Sequence, residues 1–565
     1  MNIDISKIPW SFFGSRLAVV QNSDGVLYLK DVGGGDEIPS EIFSLHLIEN
    51  DSTTSNGNRA DDKAPLIKAN ENECCIVPPW SQNAEVKLDF ISASQLRVIC
   101  AGVGIRFEMK KSRYDFIQER APGIFNIQSY IKDHNYDIDL HNAQYSIDAP
   151  WDRVGNKHIS ISIFDGTAII SDYCVISQKE FSYVNGNLSF SEFLETNKEN
   201  MDNSVAEATE LASYILWSAA VRPHGRLTQV SVYSSKNWMT NIWSWDNCFC
   251  ALPFAENHPD IALAQMLVFA DNQDKSGAYP DFINDRFISF SCTKPPVHGW
   301  ALCKILNRNS SVIKNYHDEI EYLYNSISAS TRFWLTYRQF PSGALFYRHG
   351  NDSGWDNATP FMEGGLIESP DLYAFLSKQA DSLAELSVVL GKEKKETEQW
   401  QSLSKSLIET MLERLWDSEG FFARRGIDGK KIEHRGSFLL RMPIVAYKHI
   451  PEYVRKKLID DIADESRFLA QYGIATESLN SPYLELDGYW RGPVWAPVNY
   501  LVADSLMKCG ENKLAKNIAQ RFITTCKRNG MAENFNPITG KGQDDPAFAW
   551  TSAVFLLFLR APFTE

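Results

Sequence analysis

The sequence predicts a multidomain chain, with a β-sandwich over residues 1–200 followed by an α-helical domain over residues 201–565. Three observations predict it. Apolar residues alternate with polar ones in short runs through the first 200 residues, the period of strands with one buried face. From about Val205 the apolar spacing changes to three and four, the period of helices. At 565 residues the chain also exceeds the roughly 250–300 residues at which a single core stops growing, so two units are expected.

In the N-terminal half, Val86, Leu88 and Phe90 alternate with polar neighbours, as do Leu96, Val98 and Cys100. Ile159, Ile161 and Ile163 repeat the pattern before Asp165-Gly166, which reads as a turn. Gly33-Gly34-Gly35 has no following Gly-Lys-Ser/Thr and reads as a turn, not a phosphate loop. Ser52 to Lys63 is polar and reads as a mobile loop, and Asn185 to Asn203 as the connection between the halves.

The helical half is punctuated clearly. Leu372, Phe375, Leu376, Leu383, Leu386 and Leu390 share one helical face, with Ser369-Pro370-Asp371 as its start and Gly391 as its stop. Trp400, Leu403, Leu407, Met411 and Leu415 make the next helix. Another runs from Leu514 through Ile518, Phe522 and Cys526 to Gly530. About ten to twelve such helices fit after residue 205. Of the fifteen tryptophans, only Trp10, Trp80 and Trp151 precede this half. Several of the others sit in Gly-, Pro- and Asp-rich loops instead of on apolar helix faces.

A net charge of −15, with 44% hydrophobic and 22% charged residues, is that of an ordinary soluble protein. That charge argues against nucleic acid or an anionic membrane as partner. No apolar run is long enough to span a bilayer. Met1 to Trp10 has no basic region followed by an apolar one, so a cytoplasmic location without a signal peptide is expected. The ten cysteines form no even framework and no zinc-ligand set, and read as reduced, buried thiols. No cofactor or metal motif is present, and the residues do not specify an oligomeric state.

Chemistry concentrates in the loops. Trp243-Ser244-Trp245-Asp246-Asn247-Cys248-Phe249 sets a carboxylate between two indoles, ahead of an apolar run. Aromatic neighbours desolvate a carboxyl and raise its pKa, as a general acid near neutral pH requires. Equally, Asp is a favoured helix cap before an apolar run. Both readings stand at this level. Met531-Ala532-Glu533-Asn534-Phe535-Asn536-Pro537 carries a second carboxylate just past a helix end, which reads either as a functional group or as a solvated loop glutamate. Asp487-Gly488-Tyr489-Trp490-Arg491-Gly492-Pro493-Val494-Trp495 packs aromatics around an arginine that is costly to bury without a carboxylate or ligand. Gly354-Trp355-Asp356-Asn357 and Lys294-Pro295-Pro296-Val297-His298-Gly299-Trp300 complete the set. Flat stacking faces beside hydroxyl-binding groups are the chemistry of a saccharide pocket.

Five stretches together, in this order, resemble glycoside hydrolase family 63 and its trehalase relatives, a clan of inverting (α/α)6-barrel glycosidases. They are Trp245-Asp246-x-x-Phe249, Lys294-Pro295-Pro296, Tyr489-Trp490-Arg491-Gly492-Pro493-x-Trp495, Glu533-Asn534-Phe535-Asn536-Pro537 with Thr539-Gly540, and Phe548-x-Trp550-Thr551-Ser552. The resemblance covers residues 205 to 565 and implies an (α/α)6 barrel there, with Asp246 as general acid and Glu533 as general base. It implies hydrolysis of an α-glycosidic bond, α-glucosidic first, in an oligosaccharide or small glycoside. Trp243, Trp245, Phe249, Gln273, Trp355, Asp356, Trp490, Arg491, Trp495 and Trp550 are the candidate substrate contacts. Among them, Trp490 is expected in a loop at the pocket mouth. Alternatives are trehalase-like, α-mannosidase-like or sugar-glycerate hydrolysis, or a non-catalytic carbohydrate-binding relative. Disaccharide phosphorylases need no second carboxylate, so Glu533 argues against them.

Overall fold

Alternation in the first half becomes a large antiparallel sheet because each strand has one apolar face to bury. The structure, a computed structural model, describes residues 1–49, 64–109, 113–173, 188–198, 203–426 and 428–563. The expected loop Ser52–Lys63 lies outside them. Among the described residues the main sheet has thirteen strands. Two long ones, Gln95–Met109 and Ile159–Tyr173, pair along their length and form its spine. Each passes from one set of neighbours to another midway. The first half of Gln95–Met109 pairs with Glu85–Ser92 and its second half with Glu41–Ile48. Val86, Leu88, Leu96, Val98, Ile159, Ile161 and Ile163 are all buried, whereas Phe90 is half-buried against Trp10 at 5.1 Å.

Asp165-Gly166 is not a turn. It is a bulge inside one fifteen-residue strand, where the register shifts between Phe164 and Gly166. Asp165 (φ 35°) and Gly166 (φ 136°) both lie at positive φ. A Cβ on Gly166 would come within 2.5 Å of the Ala143 backbone. The same Asp-Gly signal serves tight turns and bulges, because both need positive φ. Gly33-Gly34-Gly35 does form a turn, with Gly34 and Gly35 at φ 86° and 66°. It buries Gly35 against Asn241 and Asn284 of the helical half. Within the expected connection Asn185–Asn203, the described stretch Phe190–Lys198 is a helix that buries Phe190, Phe193 and Leu194.

Twelve α-helices lie between Ala206 and Phe558 among the described residues. Those read from sequence are present: Pro370–Val389 with Ser369 at its start, Lys394–Leu415, and Asn512–Asn529 closed by Gly530 at φ 78°. Asp246–Ala251 and Ala549–Phe558 are buried at every position. The last helix, Ala549–Phe558, packs on the first, Ala206–Ser218, and on Asp246–Ala251 and Ala496–Lys508. The ends of the helical half therefore meet, and the loops at one end of these buried helices carry the motifs.

Candidate active site

Strand Ile242–Trp243 pairs with Phe282–Ile283, which pairs with Ile288–Ser289. This small sheet sets the Trp243 and Phe282 rings 5.9 Å apart and delivers the chain into the buried helix Asp246–Ala251. Trp245 occupies the capping position, and Asp246 is the first helical residue, so the helix-cap reading of Asp246 does not hold. Asp246 is only 5% exposed. Burial pushes its carboxyl up to about 7, against the pull of the Lys294 ammonium and a 3.3 Å hydrogen bond donated by the Ser234 hydroxyl. Asp281 adds to the upward push. Lys294 is itself committed: its Nζ pairs with Asp281 at 2.8 Å and donates to the Asn351 carbonyl at 3.1 Å and to the Asn351 side chain.

Glu533 sits where helix Asn512–Asn529 gives way to a second small sheet, Val494–Trp495, Asn534–Phe535 and Gly542–Gln543. It is 3% exposed, not a solvated loop residue. The Tyr489 hydroxyl donates to its Oε1 at 3.2 Å and the Asp545 amide to its Oε2 at 3.5 Å. Both bonds favour the carboxylate. Burial is the larger effect, and with Asp544 and Asp545 nearby it holds the Glu533 carboxyl well above the ordinary glutamate range. Tyr489 reaches Glu533 from a backbone at φ 60°, an uncommon conformation for a bulky residue and one that clusters at functional sites.

Asp246 and Glu533 line one cavity of about 280 Å³. Of the residues expected to contact substrate, Trp243, Trp245, Asp356, Trp490 and Trp550 line it as well. Asp356 is half-buried, and no hydrogen bond or ion pair engages its carboxylate among the described residues. Five others do not line the cavity. Phe249 is buried behind Trp245, against Trp300 at 5.5 Å. Gln273 spends its amide on the Gly277 and Ser326 carbonyls, at 2.8 and 2.9 Å. Arg491 pairs with Glu485 at 2.6 Å, which meets its need for a carboxylate away from the cavity. Trp355 and Trp495 are buried on either side of Trp490, with centroids 4.9 and 4.0 Å from it.

Trp490 is accordingly not at a mouth. Only 2% exposed, it stacks on Trp495 with the rings 5° from parallel and offers the cavity a fixed edge of this aromatic cluster. Trp245 and Trp550 extend the cluster edge-to-face at 5.5 Å. The Gly354-to-Asn357 motif staples it: Asn357 accepts from the Trp490 amide at 3.0 Å and donates to the Gly488 carbonyl at 3.0 Å. Gly354, at φ 70°, passes so close that a Cβ there would meet the Trp245 ring at 2.7 Å.

Residues 239–551 match a family described as the mannosylglycerate hydrolase MGH1-like glycoside hydrolase domain, more than half of the chain. The chain belongs to this family, within glycoside hydrolase family 63. The mannosylglycerate hydrolase of Thermus thermophilus is 30% identical to this family 63 chain over 189 residues, which are 33% of the chain and 44% of that enzyme. The chain thus matches less than half the length of that relative. The fold is similar to the crystal structure of a Thermus thermophilus family 63 mannosylglycerate hydrolase in complex with glucose, at a TM-score of 0.54 and 22% identity, covering 62% of this chain and 99% of that one. It is also similar to a bacterial glucoamylase complexed with acarbose, at a TM-score of 0.57 and 10% identity, covering 99% of this chain and 94% of that one. The second likeness includes the N-terminal sheet.

In this family 63 chain several residues around the carboxyls escaped the motif reading. Lys294 stood in a quoted motif without a role, and Tyr489 likewise. Asp281, Asn351 and Ser234 carried no local signal, because their importance depends on contacts across loops. A strut also joins the N-terminal half to this site. The buried Lys236 donates to the Ser11 hydroxyl at 3.0 Å and to the Ser15 and Ala220 carbonyls at 2.6 and 3.1 Å. Next to it, Asn237 donates to Asp545, the residue beneath Glu533, at 2.9 Å. Among the described residues no helix is long and apolar enough to cross a membrane.

Proposed function

We propose that this chain is an inverting glycoside hydrolase that cleaves α-glycosidic bonds, α-glucosidic in the first instance, in an oligosaccharide or small glycoside. One observation carries the reading: two carboxyls from distant segments, Asp246 and Glu533, converge on one cavity walled by tryptophan. Asp246 is the general acid. Its pKa of about 7 keeps a proton available near neutral pH. As the bond between the anomeric carbon and the glycosidic oxygen breaks, that proton passes to the oxygen and the aglycone leaves as an alcohol. Glu533, ionised, takes a proton from the water that attacks the opposite face of the anomeric carbon. Asp356 holds sugar hydroxyls and Trp243 offers a half-buried stacking face. The (α/α)6 barrel over residues 201–565 is supported by the contact between the first and last helices, and the β-sandwich over 1–200 by long strands that change partners at a bulge.

The environments of the two carboxyls differ in an instructive way. Asp246 has a cation nearby and Glu533 has two further carboxylates, so the surrounding charges favour the proton on Glu533. The productive form carries the proton on Asp246 and the charge on Glu533. The hydrogen bonds from Tyr489 and the Asp545 amide to Glu533 keep it within reach.

A sugar-glycerate hydrolase is the second reading, favoured by the family match. A reducing compartment such as the cytoplasm is supported by the nine described cysteines, all free thiols. Asp246→Asn and Glu533→Gln test the mechanism: each should lower turnover by about 10²–10⁴ with the fold retained. Near-full turnover by either variant would remove that residue from its role.

A further inference from the structure

A second cavity, of about 480 Å³, lies beside the first and shares a stretch of its wall. Ser291 lines the catalytic cavity, whereas its neighbours Phe290, Cys292 and Thr293 line this one. Two arginines, Arg338 and Arg348, line it as well. Arg338 follows helix His317–Tyr337 and is only 8% exposed. Its Nε is buried without a hydrogen-bond partner, and no carboxylate pairs with its guanidinium among the described residues. The guanidinium carbon lies over the Phe333 ring, 5.1 Å from its centroid.

The acids nearby are already committed. Asp352 accepts from the Thr293 amide and hydroxyl at 2.9 and 3.2 Å, and from the Arg348 amide at 2.7 Å. The Arg348 side chain also approaches Asp352 at 3.6 Å while donating to the Ser291 carbonyl at 2.8 Å. Asp274 is exposed and accepts from the Ser276 amide at 2.8 Å. Burial pushes the Cys292 thiol up to about 11, so it supplies no thiolate. A guanidinium keeps its charge inside a protein, and burying one without a carboxylate or ligand is costly. An oxyanion in this cavity meets that need, since the planar guanidinium fork suits a carboxylate or a phosphate. The volume is that of a small-molecule site, with Phe290 and Tyr337 as exposed aromatic walls. We propose that this pocket binds a small organic anion, its carboxylate or phosphate paired with Arg338 and its body against these rings.

The test is calorimetric titration of the full chain with benzoate, phenyl phosphate and the neutral benzamide. At least one anionic probe should bind about tenfold more tightly than benzamide, the margin of a charge-assisted hydrogen bond. Preference for benzoate would assign the ligand to carboxylates, and preference for phenyl phosphate to phosphate esters. Arg338→Met should remove the preference while holding or raising the melting temperature, because an apolar chain replaces a buried, unpaired charge. Arg338→Lys keeps the charge but loses the planar fork, and should weaken the favoured anion several-fold even if the methionine variant does not fold. Three results would overturn the proposal: neither anion binding better than benzamide, an anion preference that survives both substitutions, or inorganic phosphate binding as tightly as phenyl phosphate.

Discussion

Replacing Tyr489 by Phe removes one hydroxyl and tests how Glu533 is kept usable as a base. The hydroxyl donates to Glu533 Oε1 at 3.2 Å, a bond that favours the ionised carboxylate. Hydrogen bonds to charged groups contribute about 1.5–3 kcal/mol, and at this length the lower end applies. Since one pKa unit corresponds to about 1.4 kcal/mol, Glu533 should become harder to ionise by about one unit. The sign is fixed: with the proton favouring Glu533, the basic limb of kcat/KM moves to higher pH. Activity at a pH below that limb falls about tenfold and recovers as pH rises. The limbs belong to the Asp246–Glu533 pair and not to either residue alone, so it is the displacement of the basic limb that is read. The assay is kcat/KM on one glycoside across pH for both proteins. A loss equal at every pH would show that Tyr489 acts by positioning alone and would refute the electrostatic reasoning.

Other perturbations have equally definite outcomes. Asp246→Asn should raise stability at pH 8 by about 4 kcal/mol, read from denaturant melts, because it removes a carboxyl whose ionisation in the folded state is opposed from about pH 3.9 up to its raised pKa near 7. At pH 4 the gain should nearly vanish, since the native carboxyl is already protonated there. Trp490→Ala should cost about 3–5 kcal/mol of stability as well as raising KM, because the ring is stacked within the aromatic cluster. Unchanged melting would place it outside the packed core. Gly354→Ala should lower the melting temperature and raise KM, since the added methyl meets the Trp245 ring and the backbone is at φ 70°. Normal kinetics would show that Trp245 is free to shift.

The helical half was legible where local chemistry decides the outcome. Ser369-Pro370 starts a helix and Gly391, at φ 64°, lies just past its end because caps and breakers act over a few residues. The two carboxyls were legible as candidates from their motifs. Their burial was not: a glutamate in an Asn-, Pro- and Gly-rich loop reads as solvated unless the loop is known to fold inward. The same ambiguity divided the tryptophans. Trp490 and Trp495 sit in one motif and stack on each other, yet only Trp490 lines the cavity. Local sequence shows that a ring is in a loop, not whether it faces another ring or a sugar. Lys294 with Asp281, and Asn237 with Asp545, join segments that only the tertiary fold brings together. Asp165-Gly166 was misread because a bulge and a hairpin turn ask for the same positive φ.

The central claim is that Glu533 activates water and forms no covalent bond to the sugar. The most direct test is proton NMR of the first product from an α-glycoside, recorded before mutarotation mixes the anomers. A single displacement by water gives the β-anomer first. If Glu533 were a nucleophile, a glycosyl-enzyme would form and the configuration would be retained. The account predicts the β-anomer, and initial accumulation of the α-anomer would contradict it.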